Sequence, residues 1–265
     1  MNTAGGTTAS GNGRILDGND PSAIAAAVAA LKRGALVAMP TETVYGLAAD
    51  AGNPQAVGAI FLAKGRPRFN PRIVHVASAD AARSIGIFND AAARLAAAFW
   101  PGPLTLVVPR RAGAPIADLA TAGLATVALR VPAHPVAQAL LAAFGGPLTA
   151  PSANRSGHVS ATLAAHVAAD LGERVSVILD AGASPIGVES TIVGFSGETA
   201  TLPIPMLLRA GGVPREAIEK VLGAPLAVAD AAADNRPRAP GMLASHYAPA
   251  ARLRLDATSV NPGEA

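Results

Sequence analysis

Four short stretches carry the side chains of this sequence that could do chemistry. In KGRPRFNPR, Lys64 to Arg72, a lysine, three arginines and Asn70 stand directly before the apolar run IVHV. Such a cluster is either a solvated loop or a seat for an anion; Lys64 would meet a phosphate as a point charge and Arg66 as a two-pronged fork, with Asn70 adding donors. TAPSANRSGHVSAT places Ser152, Asn154, Ser156 and Ser160 after the strand GPLTA and before a helix predicted to begin near Thr162. Hydroxyls and amide N–H groups at a helix start suit an anion, although a plain N-cap needs only one of them. PTETVYG, Pro40 to Gly46, offers three hydroxyls and a carboxylate after a strand, a set that a turn would also use for local side-chain to backbone bonds. GVESTIVGF brings Glu189, Ser190 and Thr191 to a strand start. Arg130 and Arg209 lie within or at the end of other apolar strands, where a guanidinium needs an ion pair or a ligand.

The elements that must position these stretches alternate along the chain. PSAIAAAVAALKRG has a helix start at Asp20 and Pro21 and a glycine stop at Gly34, and ALVAMP after it is a short buried strand. Helices are likewise predicted in NPQAVGAIFLAKG, DAAARLAAAFW, HPVAQALLAAFG, ATLAAHVAADLG and PREAIEKVLG. Strands are predicted in RIVHV, LTLVVP, TVALRVP, VSVILD, STIVGF and PMLLRA. Alternation in RIVHV sends Ile73 and His75 to one face and Arg72, Val74 and Val76 to the other. A lone strand histidine is ordinarily a satisfied core residue, and Arg72 needs a partner if buried. Interleaved helices and strands imply an α/β domain with a twisted mixed sheet flanked by helices, over residues 14–223. Residues 1–13 read as a loose tail, and 224–265, rich in Ala, Asp and Pro, as a linker and short remnant.

Composition narrows the function classes. With 265 residues, 51% apolar and 15% charged, the chain can bury a large core. Its longest apolar run, Ala23 to Leu31, is far shorter than the roughly 20 residues a bilayer span needs, and the opening residues lack a secretory pattern. A cytoplasmic protein without a membrane partner is the expectation. The lack of cysteine excludes a thiol nucleophile and thiolate zinc sites. A net charge of +3 is mild for a nucleic-acid coat. Neither a GxxxxGK[ST] nor a GxGxxG loop is present, so a nucleotide would be held in another way.

Taken in order, PTETVYGL, KGRPRFNPRIVHV, WPGPLTLV, LRVPAHP, TAPSANRSG, GVESTIV and APGMLASHYAP resemble the YrdC-like threonylcarbamoyl-AMP synthases over about residues 14–250. The resemblance implies the YrdC-like α/β fold and a nucleotidyltransferase that joins L-threonine, bicarbonate and ATP into threonylcarbamoyl-AMP and pyrophosphate. Downstream transfer proteins would use the product for N6-threonylcarbamoyladenosine in transfer RNA. It assigns Thr43, His75, Arg130, Ser190 and the backbone of Ala150 to threonine. Lys64, Arg66, Asn70, Thr126, Ser152, Asn154, Ser160, Arg209 and Tyr247 fall to ATP, with Lys64 and Arg66 stabilising the transition state. Magnesium would arrive with the triphosphate, and no resident metal is expected. The segment with His246 and Tyr247 would cover the site. Larger members continue into a Rossmann-like domain, which this chain is expected to lack. Two alternatives stand beside this reading: a double-stranded RNA-binding module, whose concave basic surface would bind RNA weakly, and the carbamoyl-transfer domain of hydrogenase maturation proteins, whose larger members carry cysteine-rich zinc fingers.

Overall fold

The computed structural model describes residues 14–65, 71–195 and 204–228. Helix starts follow local chemistry. In α1 (Pro21–Lys32) Asp20 accepts from the Ser22 N–H and proline opens the first turn; in α2 (Pro54–Lys64) Asn53 accepts from Gln55 and Ala56 behind Pro54. α6 (Pro135–Phe144) repeats the device with His134 as cap. The remaining helices are α3 (Ala79–Ile85), α4 (Asp90–Phe99), α5 (Asp118–Thr121), α7 (Ala164–Leu171) and α8 (Arg215–Leu222). α7 begins at Ala164 with Leu163 at its cap, so the serine-rich stretch before it is a loop and not a helix start at Thr162.

Among the described residues eleven strands form one mixed sheet: β1 (Arg14–Asp17), β2 (Val37–Met39), β3 (Gly46–Asp50), β4 (Ile73–His75), β5 (Leu104–Pro109), β6 (Thr126–Arg130), β7 (Leu148–Thr149), β8 (Val177–Asp180), β9 (Thr191–Phe195), β10 (Pro205–Arg209) and β11 (Ala227–Val228). Their order is β1-β8-β2-β3-β7-β4-β6-β5-β9-β10-β11. β11 pairs in parallel with β10, so the sheet runs past Gly223, where the sequence placed the domain's end. No helix of the described residues is long and apolar enough to cross a membrane.

Side-chain alternation shows how the two halves of the sheet differ. In β8, Val177 and Leu179 pack with α1 and α6 around Leu31 and Leu140, whereas Ile178 packs with α2 and α7 around Ile60 and Val167. Both faces are covered there. In the other half, Leu104 and Leu106 of β5, Leu129 of β6 and Val193 of β9 share a core with Leu95 of α4 and Ile218 of α8. The opposite face carries only a small apolar cluster of Ile73, Val107, Ala128 and Ile192, edged by Leu208. His75, Arg130 and Thr105 stand at alternating positions on that face. A polar cleft lies on that face, and among the described residues no helix packs over the small cluster.

Candidate active site

The cleft takes up about 470 Å³ when open solvent at its mouth is included, and its lining draws on all four stretches: Thr41 and Thr43, Arg72, Ile73 and His75, Ala150 to Ser152, and Glu189, with Arg130 and Arg209. Backbone bonds zip the loops together. Leu47 N–H donates to Pro151 O at 2.7 Å, Tyr45 N–H to Ala161 O at 2.8 Å and Ala153 N–H to Tyr45 O at 2.8 Å, so the PTETVYG and TAPSANRSG stretches form one wall. Ile186 N–H donates to Glu42 O at 2.9 Å and fastens the loop before Glu189 to the same wall.

Arg130, the last residue of β6, is the hub on the sheet side. Its Nη2 donates to Glu42 Oε1 at 2.7 Å, its Nη1 to Thr43 Oγ1 at 2.9 Å and its Nε to Gly102 O at 3.2 Å. The other Glu42 oxygen accepts from Ala133 N–H at 3.1 Å. Thr41 Oγ1 lies 2.9 Å from Thr43 Oγ1 and donates to Val44 O, which holds the threonine turn in shape. The pair Glu42–Arg130 is buried, so the partners depend on each other.

His75 is in register with Arg130 on the neighbouring parallel strand. Burial, and next the Arg130 charge, push its imidazole down to about 3, so it is neutral at ordinary pH. Its Nδ1 is buried and has no hydrogen-bond partner among the described residues, an acceptor or donor held ready at the cleft. Arg72 precedes β4 and is not part of it. It borders the cleft, and its guanidinium is buried 4.3 Å from the centre of the Phe61 ring of α2.

Lys64 lies at the C-terminal turn of α2, buried, and its Nζ donates to the carbonyls of Ser152 and Asn154. Among the described residues the ammonium braces the serine loop and is not part of the cleft lining. Asn154 Nδ2 donates to Arg155 O and His158 O, so it shapes the same loop. Ser160 Oγ donates to Glu189 Oε1 at 2.6 Å, and Glu189 Oε2 lies 3.7 Å from Arg209 Nη2. Arg209 in turn donates to Ser190 O and to Ser190 Oγ, which lies 2.8 Å from Thr105 Oγ1. Gly211 lets β10 come this close: a Cβ there would fall 2.3 Å from Glu189 O.

Of the residues expected from sequence, Thr43, His75, Arg130, Ala150, Ser152 and Arg209 meet at the cleft. Ala150 has its N–H committed to Ile73 O, so its carbonyl is the backbone group it can offer. Ser190 lies buried behind Arg209, and Lys64, Asn154 and Ser160 lie in or against the serine loop. Thr126 starts β6 on the same face as Arg130 but four residues away, outside the lining. Arg66, Asn70 and Tyr247, like the His246 lid, lie outside the described residues. Glu42, Thr41 and Glu189 were not among the expected binders. Their only sequence signal was a carboxylate or hydroxyl within a polar stretch, and their partners are distant in the chain.

Comparison with known proteins identifies the family. The family model Sua5_yciO_yrdC, described as telomere recombination, matches residues 29–211. The model for the C-terminal domain of threonylcarbamoyl-AMP synthase matches residues 213–264, which takes in α8 and the stretch expected to be a linker. The threonylcarbamoyl-AMP synthase of Bacillus subtilis is 47% identical over 243 residues, 91% of this chain and 68% of that protein. That of Pyrococcus abyssi is 46% identical over 227 residues, 84% of this chain and 64% of that protein. The crystal structure of P. abyssi Sua5 complexed with L-threonine superposes with a TM-score of 0.80 at 44% identity, over 86% of this chain and 66% of that one. The chain spans about two thirds of the length of these relatives. Escherichia coli YciO shares the fold, with a TM-score of 0.65 at 20% identity. With one family model covering most of its length and close relatives among the synthases, this chain belongs to the Sua5/YciO/YrdC family of threonylcarbamoyl-AMP synthases.

Proposed function

We propose that the protein makes threonylcarbamoyl-AMP and pyrophosphate from L-threonine, bicarbonate and ATP, in the cytoplasm, for N6-threonylcarbamoyladenosine in transfer RNA. The observation that carries this reading is the pairing, at one cleft, of a buried Arg130 fixed beside Thr43 with a neutral His75 whose Nδ1 has no partner among the described residues. A fixed guanidinium suits the α-carboxylate of an amino acid, and an uncharged imidazole nitrogen accepts a hydrogen bond from its amine or hydroxyl without repelling an ammonium. Ser190 and the Ala150 backbone complete the threonine side. Arg209, Ser152, Asn154 and Ser160 lie beside it as the nucleotide side, with Lys64, Arg66, Asn70, Thr126 and Tyr247 in the same role.

The chemistry needs no enzyme nucleophile. The neutral threonine amine and bicarbonate give a carbamate and water; a carbamate oxygen then attacks the α-phosphate and the bond to pyrophosphate breaks, and magnesium brought with ATP would offset the charge of that leaving group. The protein's part is to align the two substrates and to surround the developing charge with cations. Arg72, Arg130 and Arg209 line the cleft, and the Lys64 ammonium lends its charge through the serine loop. The product then passes to the proteins that transfer the threonylcarbamoyl group. Pyrophosphate release, measured with each substrate omitted in turn, tests the reading: it should require ATP, threonine and bicarbonate together, and equal release without threonine would overturn it.

A further inference from the structure

Arg130 and Thr43 account for the amino-acid side of the cleft, but neither accounts for its own placement. We propose that Glu42, which does not line the cleft, is the positioning residue of this subsite: it fixes the Arg130 guanidinium so that its uncommitted N–H groups meet the substrate carboxylate. The inference rests on the reading of the cleft as a threonine site.

A guanidinium has five N–H donors. Nε is committed to Gly102 O, one hydrogen of Nη1 to Thr43 Oγ1 and one of Nη2 to Glu42 Oε1. One N–H remains on each terminal nitrogen, the number that a bidentate carboxylate takes. Which way that pair points depends on the rotation of the long Arg130 side chain, and Glu42 sets it. The carboxylate is itself held at both ends, its second oxygen by Ala133 N–H at 3.1 Å and its backbone carbonyl by Ile186 N–H at 2.9 Å. Glu42 and Arg130 are 7% and 3% exposed, so water does not replace a lost partner. Without the Glu42 charge the guanidinium would be drawn toward other acceptors and Thr43 would lose the donor that orients its hydroxyl.

The test uses the full chain and two separate binding titrations, L-threonine and ATP, with steady-state kinetics for threonine. E42Q should weaken threonine binding at least tenfold and raise KM for threonine by a similar factor, with kcat changed much less and ATP affinity within twofold. E42Q combined with R130A should bind threonine no more weakly than R130A alone, because one residue acts through the other. Should E42Q not fold, E42D serves in its place, since it keeps the charge but draws it back by one methylene, and it should show the same selective loss. Threonine binding within twofold of wild type, additive effects in the double variant, or equal losses for ATP and threonine alongside a lower melting temperature would overturn the proposal. A wild-type chain that binds no threonine would overturn the functional reading and this inference with it. Wild-type binding with an unaffected E42Q overturns the inference alone.

Discussion

Arg209 donates through Nη2 to the hydroxyl of Ser190 at 3.0 Å, so a residue of the proposed nucleotide side directly holds one of the proposed threonine side. The same guanidinium donates to the Ser190 carbonyl through Nε and Nη2 at 3.1 and 2.9 Å. Residues of the two proposed subsites, one just before β9 and one at the end of β10, therefore share one set of hydrogen bonds. Occupying one subsite should be felt at the other.

Ser190→Ala removes the hydroxyl from this junction while leaving the carbonyl to Arg209. Threonine affinity should fall by about five- to tenfold, the worth of about 1–1.5 kcal/mol expected of one ordinary hydrogen bond. The gain in threonine affinity that bound ATP confers should shrink with it. Titrations of threonine with and without a non-hydrolysable ATP analogue give both quantities, and an undiminished ATP effect in the variant would show that the junction does not couple the subsites.

His75 ties stability to pH. Its folded value, about 3, lies below the 6.5 of an unperturbed imidazole. Between these values the unfolded chain binds a proton that the folded chain does not, so stability is fully present above pH 6.5 and falls as pH drops toward 3. The contribution is about 1.4 kcal/mol per pH unit at its steepest. His75→Gln should flatten that part of the curve in denaturant titrations. An identical pH dependence in wild type and variant would mean that His75 titrates normally.

Lys64 should matter more for the loop than for direct contact with substrate. Lys64→Met removes the donor that spans the Ser152 and Asn154 carbonyls and leaves both acceptors buried. Activity should drop by more than tenfold, and amide exchange across residues 152–158 should speed up, because the loop loses its anchor. Unchanged exchange together with lost activity would instead return Lys64 to the direct phosphate role expected from sequence.

Gly211 tests how tightly β10 must approach the site. Its added Cβ in Gly211→Ala would meet Glu189 O at 2.3 Å and the Ser190 and Thr191 backbone at 2.5 Å, all main-chain atoms that cannot swing aside. Relief requires moving the backbone of Glu189 and Ser190, and a loss of about 1–3 kcal/mol is expected with a larger loss of substrate binding. A variant with wild-type melting temperature and affinity would show that the strand can shift without disturbing the cleft.

The sequence by itself determined the helices and the chemistry of the loops. Asp20 with Pro21 and Asn53 with Pro54 act within a few residues, so their caps are legible in the chain, as are the apolar runs of β5, β6 and β10. The polar stretches that build the cleft were legible for the same reason, since residue type and spacing are local facts. β3 and β1 were not: GLAAD lacks the β-branched residues that mark a strand, and it is one only because β2 and β7 pair with it. Tertiary structure alone decided which face of the sheet carries the polar cleft among the described residues. It alone also set Glu42 against Arg130 across 88 residues and turned Lys64 toward the Ser152 loop. Such pairings are decided by where burial leaves a charge without water, and that depends on the whole fold and not on neighbouring residues.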